Sequence, residues 1–259
     1  MKHFAGATLI ALIPACSAPP AAKNATEIAA EDIVSGSIFL TAETRDLQED
    51  NFANPGYLWV DRGEALFSKA PASGEACIAC HEAGLSGVAA TYPAYDAKAG
   101  RVLNLEDRIN QCRVTHQSEP AWEYESEELL SVTAFVANQS LGAPVSVDVS
   151  GPAQDIYEAG REYFQTRRGQ FNLSCQQCHT ENWGKRLRGD TLSQGHGNGF
   201  PAYRLEWESL GSLHRRLRDC DMGVRAEPLP YGDPLYVAVE LYLAARSNGL
   251  EMESPAVRR

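Results

Sequence analysis

"CIACH" (residues 77–81) and "CQQCH" (residues 175–179) are the two stretches that decide the fold of this 259-residue chain. Each reads C-x-x-C-H, the signature of covalent c-type haem attachment. Thiols at this spacing lie on one helical turn and add across the two vinyl groups of haem. The adjacent histidine then faces the iron as its proximal ligand. A single copy would also suit a zinc or thiol-redox site, but two copies point to haem c. Cys77, Cys80 and His81 are expected to hold one group, and Cys175, Cys178 and His179 a second.

The motifs sit inside a longer repeat. "GEALF" (63–67) and "GREYF" (160–164) precede them, and "YPAY" (92–95) and "FPAY" (200–203) follow. Tyr95 lies 17 positions before Cys112, and Tyr203 lies 17 before Cys220. Glu119-Pro120 and Glu227-Pro228 follow those cysteines at equal spacing, then "TAFVA" (133–137) and "ELYLA" (240–244). The second copy is longer by about ten residues around "LSQGHGNG" (192–199). Apolar residues at helical spacing predict helices over 61–70, 127–140, 155–166 and 233–247, with Gly142 and Gly249 as stops, and no run alternates as a strand would. The expected fold is therefore all-α, two tandem cytochrome c-like domains related by internal duplication. Residues 26–146 form the first, with one haem; residues 147–259 form the second, with the other haem and the active site. Residues 143–152 read as the link, and Leu130, Phe135, Leu241 and Leu243 as core or haem wall.

Residues 1–25 read as an export segment and tether. One Lys, a short apolar run from Phe4 to Ile13 and then small residues resemble a secretory signal, too short to span a bilayer. "IPAC" (13–16) resembles a lipoprotein cleavage box, so Cys16 is either a lipidated N-terminus, and a membrane anchor, or is removed with the signal. Export places the mature protein in the periplasm, an oxidising compartment. The formal charge of −11, from 23 Lys+Arg against 34 Asp+Glu, argues against a nucleic-acid partner or an anionic membrane surface.

Each iron also needs a sixth ligand or an open position. Met222, Met252, His116, His196, His214, Cys112 and Cys220 are the candidates, and only the two cysteines recur at equivalent places. This assigns axial pairs His81/Cys112 and His179/Cys220, against the alternative of a Cys112–Cys220 disulfide. A thiolate ligand donates electron density and stabilises ferric iron, which suits a general electron shuttle poorly.

"RRLRDCDMGVR" (215–225) places four arginines and two aspartates around Cys220 in an otherwise acidic chain. Arg216 and Cys220 stand at i and i+4, as do Arg108 and Cys112; Arg215, Arg218 and Arg225 have no basic counterpart in the first copy. Cationic neighbours favour the anionic, nucleophilic form of a thiol and hold a small oxyanion through paired hydrogen bonds. The expected ligand is a small sulfur oxyanion, and a solvated arginine face is the alternative.

Taken together, the two C-x-x-C-H motifs, Cys112 and the arginine-flanked Cys220 resemble the SoxA family, haem subunits of thiosulfate-oxidising SoxAX cytochrome complexes. The resemblance spans essentially the whole mature chain and is closest to the diheme members. It implies L-cysteine S-thiosulfotransferase activity, in which thiosulfate is joined oxidatively to a cysteine of the SoxY subunit of a SoxYZ carrier. Two electrons leave by way of a monohaem SoxX-like partner. It also implies that Cys220 ligates the second haem as a persulfide and carries the sulfur intermediate, with Arg216 at the substrate. On this basis Cys220, Arg216 and Arg225 are the expected catalytic residues. The competing readings are a non-catalytic diheme electron-transfer cytochrome and a thiosulfate dehydrogenase forming tetrathionate.

Overall fold

The computed structural model describes Met1, residues 27–72 and residues 74–259; Cys16 and nearly all of the expected export segment lie outside the described residues. Among the described residues the helices are α1 (Ala42–Glu49), α2 (Tyr57–Ser68), α3 (Cys77–Cys80), α4 (Leu105–His116), α5 (Glu127–Asn138), α6 (Gln154–Gln165), α7 (Cys175–His179), α8 (Leu213–Gly223) and α9 (Pro234–Arg246). None is long and apolar enough to cross a membrane. The four helices expected from periodicity form as α2, α5, α6 and α9. Side-chain caps start several of them: Ser126 accepts from the Leu129 N–H, Asn104 from Asp107, Ser212 from Arg215, and Asp233 precedes Pro234 at N1.

Two helix pairs hold the chain together, α2 across α5 and α6 across α9. At each crossing a glycine lets the backbones touch. A Cβ on Gly63 would lie 2.0 Å from the Ser131 carbonyl oxygen, and one on Gly160 would lie 2.0 Å from that of Ala238. α5 and α9 are buried along most of their length, which explains their nearly continuous apolar character. Leu130, Leu241 and Leu243 are buried in them, and Phe135 packs its ring 5.3 Å from that of Phe67.

The all-α expectation needs correction. β1 (Ala94–Asp96) and β2 (Arg101–Leu103) form a hairpin, and β5 (Ala202–Arg204) and β6 (Ser209–Gly211) form its counterpart. β3 (Arg186–Leu187) pairs with β4 (Asp190–Thr191), and β7 (Ala256–Arg258) joins β5 in parallel. The molecule is helix-rich with small sheets. Strands of two or three residues are too short for alternation to show in the sequence.

Residues 32–54 are bonded to the second repeat. The Val34 N–H donates to Gln194 Oε1 at 2.9 Å, and Gln194 Nε2 returns a bond to the Asp32 carbonyl at 2.7 Å. Asn54 Nδ2 donates to the Pro255 carbonyl at 2.9 Å and the Val257 N–H to Gln48 Oε1 at 3.1 Å. The stretch read as a link is itself packed: Val145 and Val147 are buried in one cluster with Ala90, Val102, Val237 and Leu241.

A polar group lies buried at this seam. Asn104 Nδ2 donates to Glu240 Oε2 at 2.8 Å, and His214 Nε2 lies 3.7 Å from the same oxygen. Glu106 and Glu240 are both buried and line one small cavity with Thr133. Burial is the main reason that both carboxyls are raised above their ordinary range; the Glu106 charge adds to the rise at Glu240, and the Glu125 and Asp107 charges add to the rise at Glu106. The folded chain therefore keeps protons that the unfolded chain releases, so this contribution is complete below the ordinary carboxylate pKa and is lost as pH rises above it. Glu106→Gln should raise Tm by about 3–6 °C at pH 8 and change it little at pH 5, as about 1.5 kcal/mol predicts for a chain this size. Equal shifts at the two pH values in thermal unfolding would contradict this account.

Candidate functional site

α7 carries CQQCH as a helical turn. Ser174 and Gln177 close it with a reciprocal capping box, so its start is held by two side-chain bonds. α3 carries CIACH on a shorter turn, where Gln117 Nε2 donates to Cys77 Sγ at 3.4 Å. All six described cysteines are free thiols, so Cys112 and Cys220 are not joined in a disulfide. Cys112 instead lies within electrostatic reach of Cys77 and Cys80, and Cys220 of Cys175 and Cys178. Each C-x-x-C turn thus meets the downstream cysteine of its own repeat. Burial pushes the Cys175 thiol up to about 12, with the charge of Cys220 next in effect, and so keeps it neutral.

The two histidines are held differently. The ring of His81 lies 6.0 Å from that of Phe67, and among the described residues its nitrogens have no hydrogen-bond partner. His179 Nδ1 donates to the Ser193 carbonyl at 2.8 Å, which leaves Nε2 with the free lone pair. Burial is the main reason that His179 is held down to about 4; the Ser193 bond opposes it, and the Arg216 and Arg246 charges reinforce it. A neutral, oriented imidazole is the form that ligates a metal. A Cβ on Gly195, at φ +76°, would lie 2.8 Å from His179 Cγ. The loop that lengthens the second repeat therefore holds the histidine of its C-x-x-C-H motif, a role that length alone did not disclose.

This donor set fits haem c at both turns: paired free thiols, a neighbouring histidine and a third sulfur. The other candidate ligands sit elsewhere. Met222 and His116 are exposed, Met252 is in the core, and His196 is bonded to Ser247 Oγ and Gln194 Oε1 at 3.1 and 3.0 Å. His214 is fully buried, stacked on Tyr124 with ring centroids 5.4 Å apart.

The arginines around Cys220 divide sharply. Arg215 donates to Ser209 Oγ at 3.0 Å and lies over the Trp207 ring. Arg218 donates to the Leu229 carbonyl and lies over Tyr231. Arg225 is exposed, donates to Gln170 Oε1 at 3.2 Å and lies over Phe171. The side chain of Arg216, half-buried, makes no hydrogen bond or ion pair among the described residues, and its charge reaches His179 and Arg204. Sequence reading passed over Arg204 and Arg246. Arg246 Nη1 is buried without a partner, while Nη2 donates to Thr180 Oγ1 at 3.3 Å.

The SoxA/TsdA cytochrome c domain model matches residues 62–145, within the first repeat. The L-cysteine S-thiosulfotransferase subunit SoxA of Rhodovulum sulfidophilum is 42% identical over 232 residues, covering 88% of this chain and 81% of that protein. The subunit of the same name from Chlorobaculum tepidum is 36% identical over 242 residues, covering 92% and 84%. The crystal structure of SoxXA from P. pantotrophus superposes with a TM-score of 0.84 at 37% identity, covering 88% of this chain and 87% of that one.

Gly195→Ala should lower Tm by about 3–8 °C, because the added methyl meets His179 at a backbone angle that L residues avoid. Gly223→Ala, with nothing within 4 Å of its Cβ, should leave Tm unchanged or raise it. Equal responses would show that the inserted loop does not pack on the histidine.

Proposed function

The chain belongs to the SoxA family of L-cysteine S-thiosulfotransferase subunits, and on that premise we propose that Cys220 is where thiosulfate is oxidatively captured for transfer to a sulfur carrier. The single observation that carries this reading is Arg216. It stands one helical turn before Cys220 on α8, its side chain without a hydrogen-bond or ion-pair partner among the described residues, while Arg215, Arg218 and Arg225 are engaged by the protein. An arginine with its fork free next to a reactive sulfur suits an incoming oxyanion.

In this reading the molecule is two tandem cytochrome c-like domains related by duplication, 26–146 and 147–259. The repeated helix pairs, hairpins and C-x-x-C-H turns support it. Cys77, Cys80, His81 and Cys112 hold one haem c, and Cys175, Cys178, His179 and Cys220 hold a second. Haem c supplies a one-electron acceptor to which a thiolate can bind. The Ser193 carbonyl and Gly195 fix the His179 ring, and Arg216 holds the sulfonate end of thiosulfate. Arg225 serves as an exposed cation on the loop after α8. The Cys220 thiolate and the sulfane sulfur of thiosulfate form an S–S bond, releasing two electrons that leave one at a time to a SoxX-like monohaem partner. A thiolate of the SoxY subunit of a SoxYZ-like carrier then attacks the sulfane sulfur. The bond to Cys220 breaks and Cys220 leaves as thiolate, which restores the starting state. A heterodimer with a SoxX-like subunit agrees with the SoxXA likeness. The reading places the mature protein in the periplasm, on the strength of the signal-like N-terminus; lipidation of Cys16 would add a membrane anchor.

Cys220→Ser should lower transfer to the carrier by about a thousandfold or more while the protein still gains two covalent haem masses. Normal turnover by this variant in the transfer assay would overturn the scheme. Intact mass spectrometry showing one haem addition to the parent protein would overturn the two-haem assignment.

A further inference from the structure

In the first repeat, Arg108 occupies the position equivalent to Arg216, and it is fully engaged. Its Nη2 meets Asp96 Oδ2 at 2.6 Å, its Nε donates to Tyr92 Oη at 2.9 Å, and its Nη1 donates to Gln111 Oε1. A shift of 108 positions maps these three partners onto Arg204, Phe200 and Asp219. Phe200 has lost the hydroxyl. The Asp219 carboxylate accepts from Trp207 Nε1 at 2.9 Å and is turned to the indole. The carboxylate that neutralises Arg108 is replaced by a second guanidinium.

Arg204 is built in rather than displayed. It is 7% exposed, on β5, where it pairs across the hairpin with Ser209. Glu206 Oε2 accepts from its Nη2 at 3.0 Å, and its Nε is buried with no partner. It lies within electrostatic reach of both Arg216 and Cys220. Two neighbouring guanidinium groups, with one buried N–H unpaired, repel each other unless an anion lies between them.

We infer that Arg204 and Arg216 together form the oxyanion-binding fork of the Cys220 site, with Arg204 a second substrate-contacting residue at the position that Asp96 fills in the first repeat. The inference deepens the function proposed above and rests on it. Where the first repeat has a closed Arg–Asp clamp the second has an open Arg–Arg clamp, so the second is the one suited to an incoming anion. A carboxylate at the haem edge has the same fork-binding chemistry as a sulfonate, and the test separates the two.

Steady-state kinetics of thiosulfate transfer should be compared across the parent complex, Arg216→Gln, Arg204→Gln and Glu206→Gln, with haem content, Soret spectrum and reduction potential recorded for each. Arg204→Gln should raise the KM for thiosulfate about 10- to 100-fold with a smaller change in kcat and unchanged haem properties. Glu206→Gln alters a residue whose side chain is 56% exposed, so it tests the idea even if Arg204→Gln does not fold. Relieving Arg204 of its counter-charge should lower KM about twofold to fivefold. An unchanged KM in Arg204→Gln, or in Glu206→Gln where the former does not fold, overturns the inference. A shifted potential or Soret band with unchanged KM also overturns it, since the fork then holds haem carboxylates. A parent complex without thiosulfate-dependent transfer defeats the underlying function instead. An active parent with impaired Arg216→Gln and unaffected Arg204→Gln defeats this inference alone.

Discussion

The contact on which everything else depends is the touching of backbones at Gly63 and Gly160. With only hydrogen facing the Ser131 and Ala238 carbonyls, α2 lies against α5 and α6 against α9 closer than any other residue allows. Each crossing sets where the following C-x-x-C-H turn begins, because only a short loop separates α2 from α3 and α6 from α7. Any side chain at either glycine would separate the pair and carry the thiols away from the downstream cysteine. Packing of this kind is felt at the scale of a methyl group.

On this common frame the two repeats have diverged where chemistry differs. The first keeps its arginine neutralised and its histidine against Phe67. The second lengthens a loop to grip His179 through the Ser193 carbonyl, and brings both Arg204 and Arg215 to the Trp207 ring, whose N–H donates to Asp219. The indole draws a carboxylate away from Arg216 while its faces receive the neighbouring guanidinium groups. The two C-x-x-C-H turns share one local frame, and they differ in whether the equivalent arginine, Arg108 or Arg216, meets a carboxylate.

Much of this was legible in the chain. The C-x-x-C-H motifs, the recurring Cys112 and Cys220, and the four long helices all follow from local spacing. What escaped required the third dimension. Weighing arginines by their nearness to Cys220 in sequence gathers Arg215, Arg218 and Arg225, which fold onto Trp207, Tyr231 and Phe171. It passes over Arg204, sixteen positions away, which the β5–β6 hairpin brings back. The match of Tyr95 with Tyr203 stops one residue short of the exchange of Asp96 for Arg204. The small sheets escaped because two or three residues carry no alternation, and β7 finds β5 only after more than fifty intervening residues.

The crossing of the chain ends bears on the order in which the molecule can assemble. Val34 waits for Gln194, 160 positions on; Ser37 waits for Glu253, 216 positions on; Gln48 waits for Val257, 209 positions on. A chain emerging from its N-terminus carries α1 and the turns before it without these partners until Gln194, Glu253 and Val257 have appeared. Loops of that span close late and at an entropic cost that local helix pairing does not bear. The two repeats thus mature under a shared clasp. The first can fold its own helix pair early, but its N-terminal edge is completed only when the far end of the chain arrives to close both halves at once.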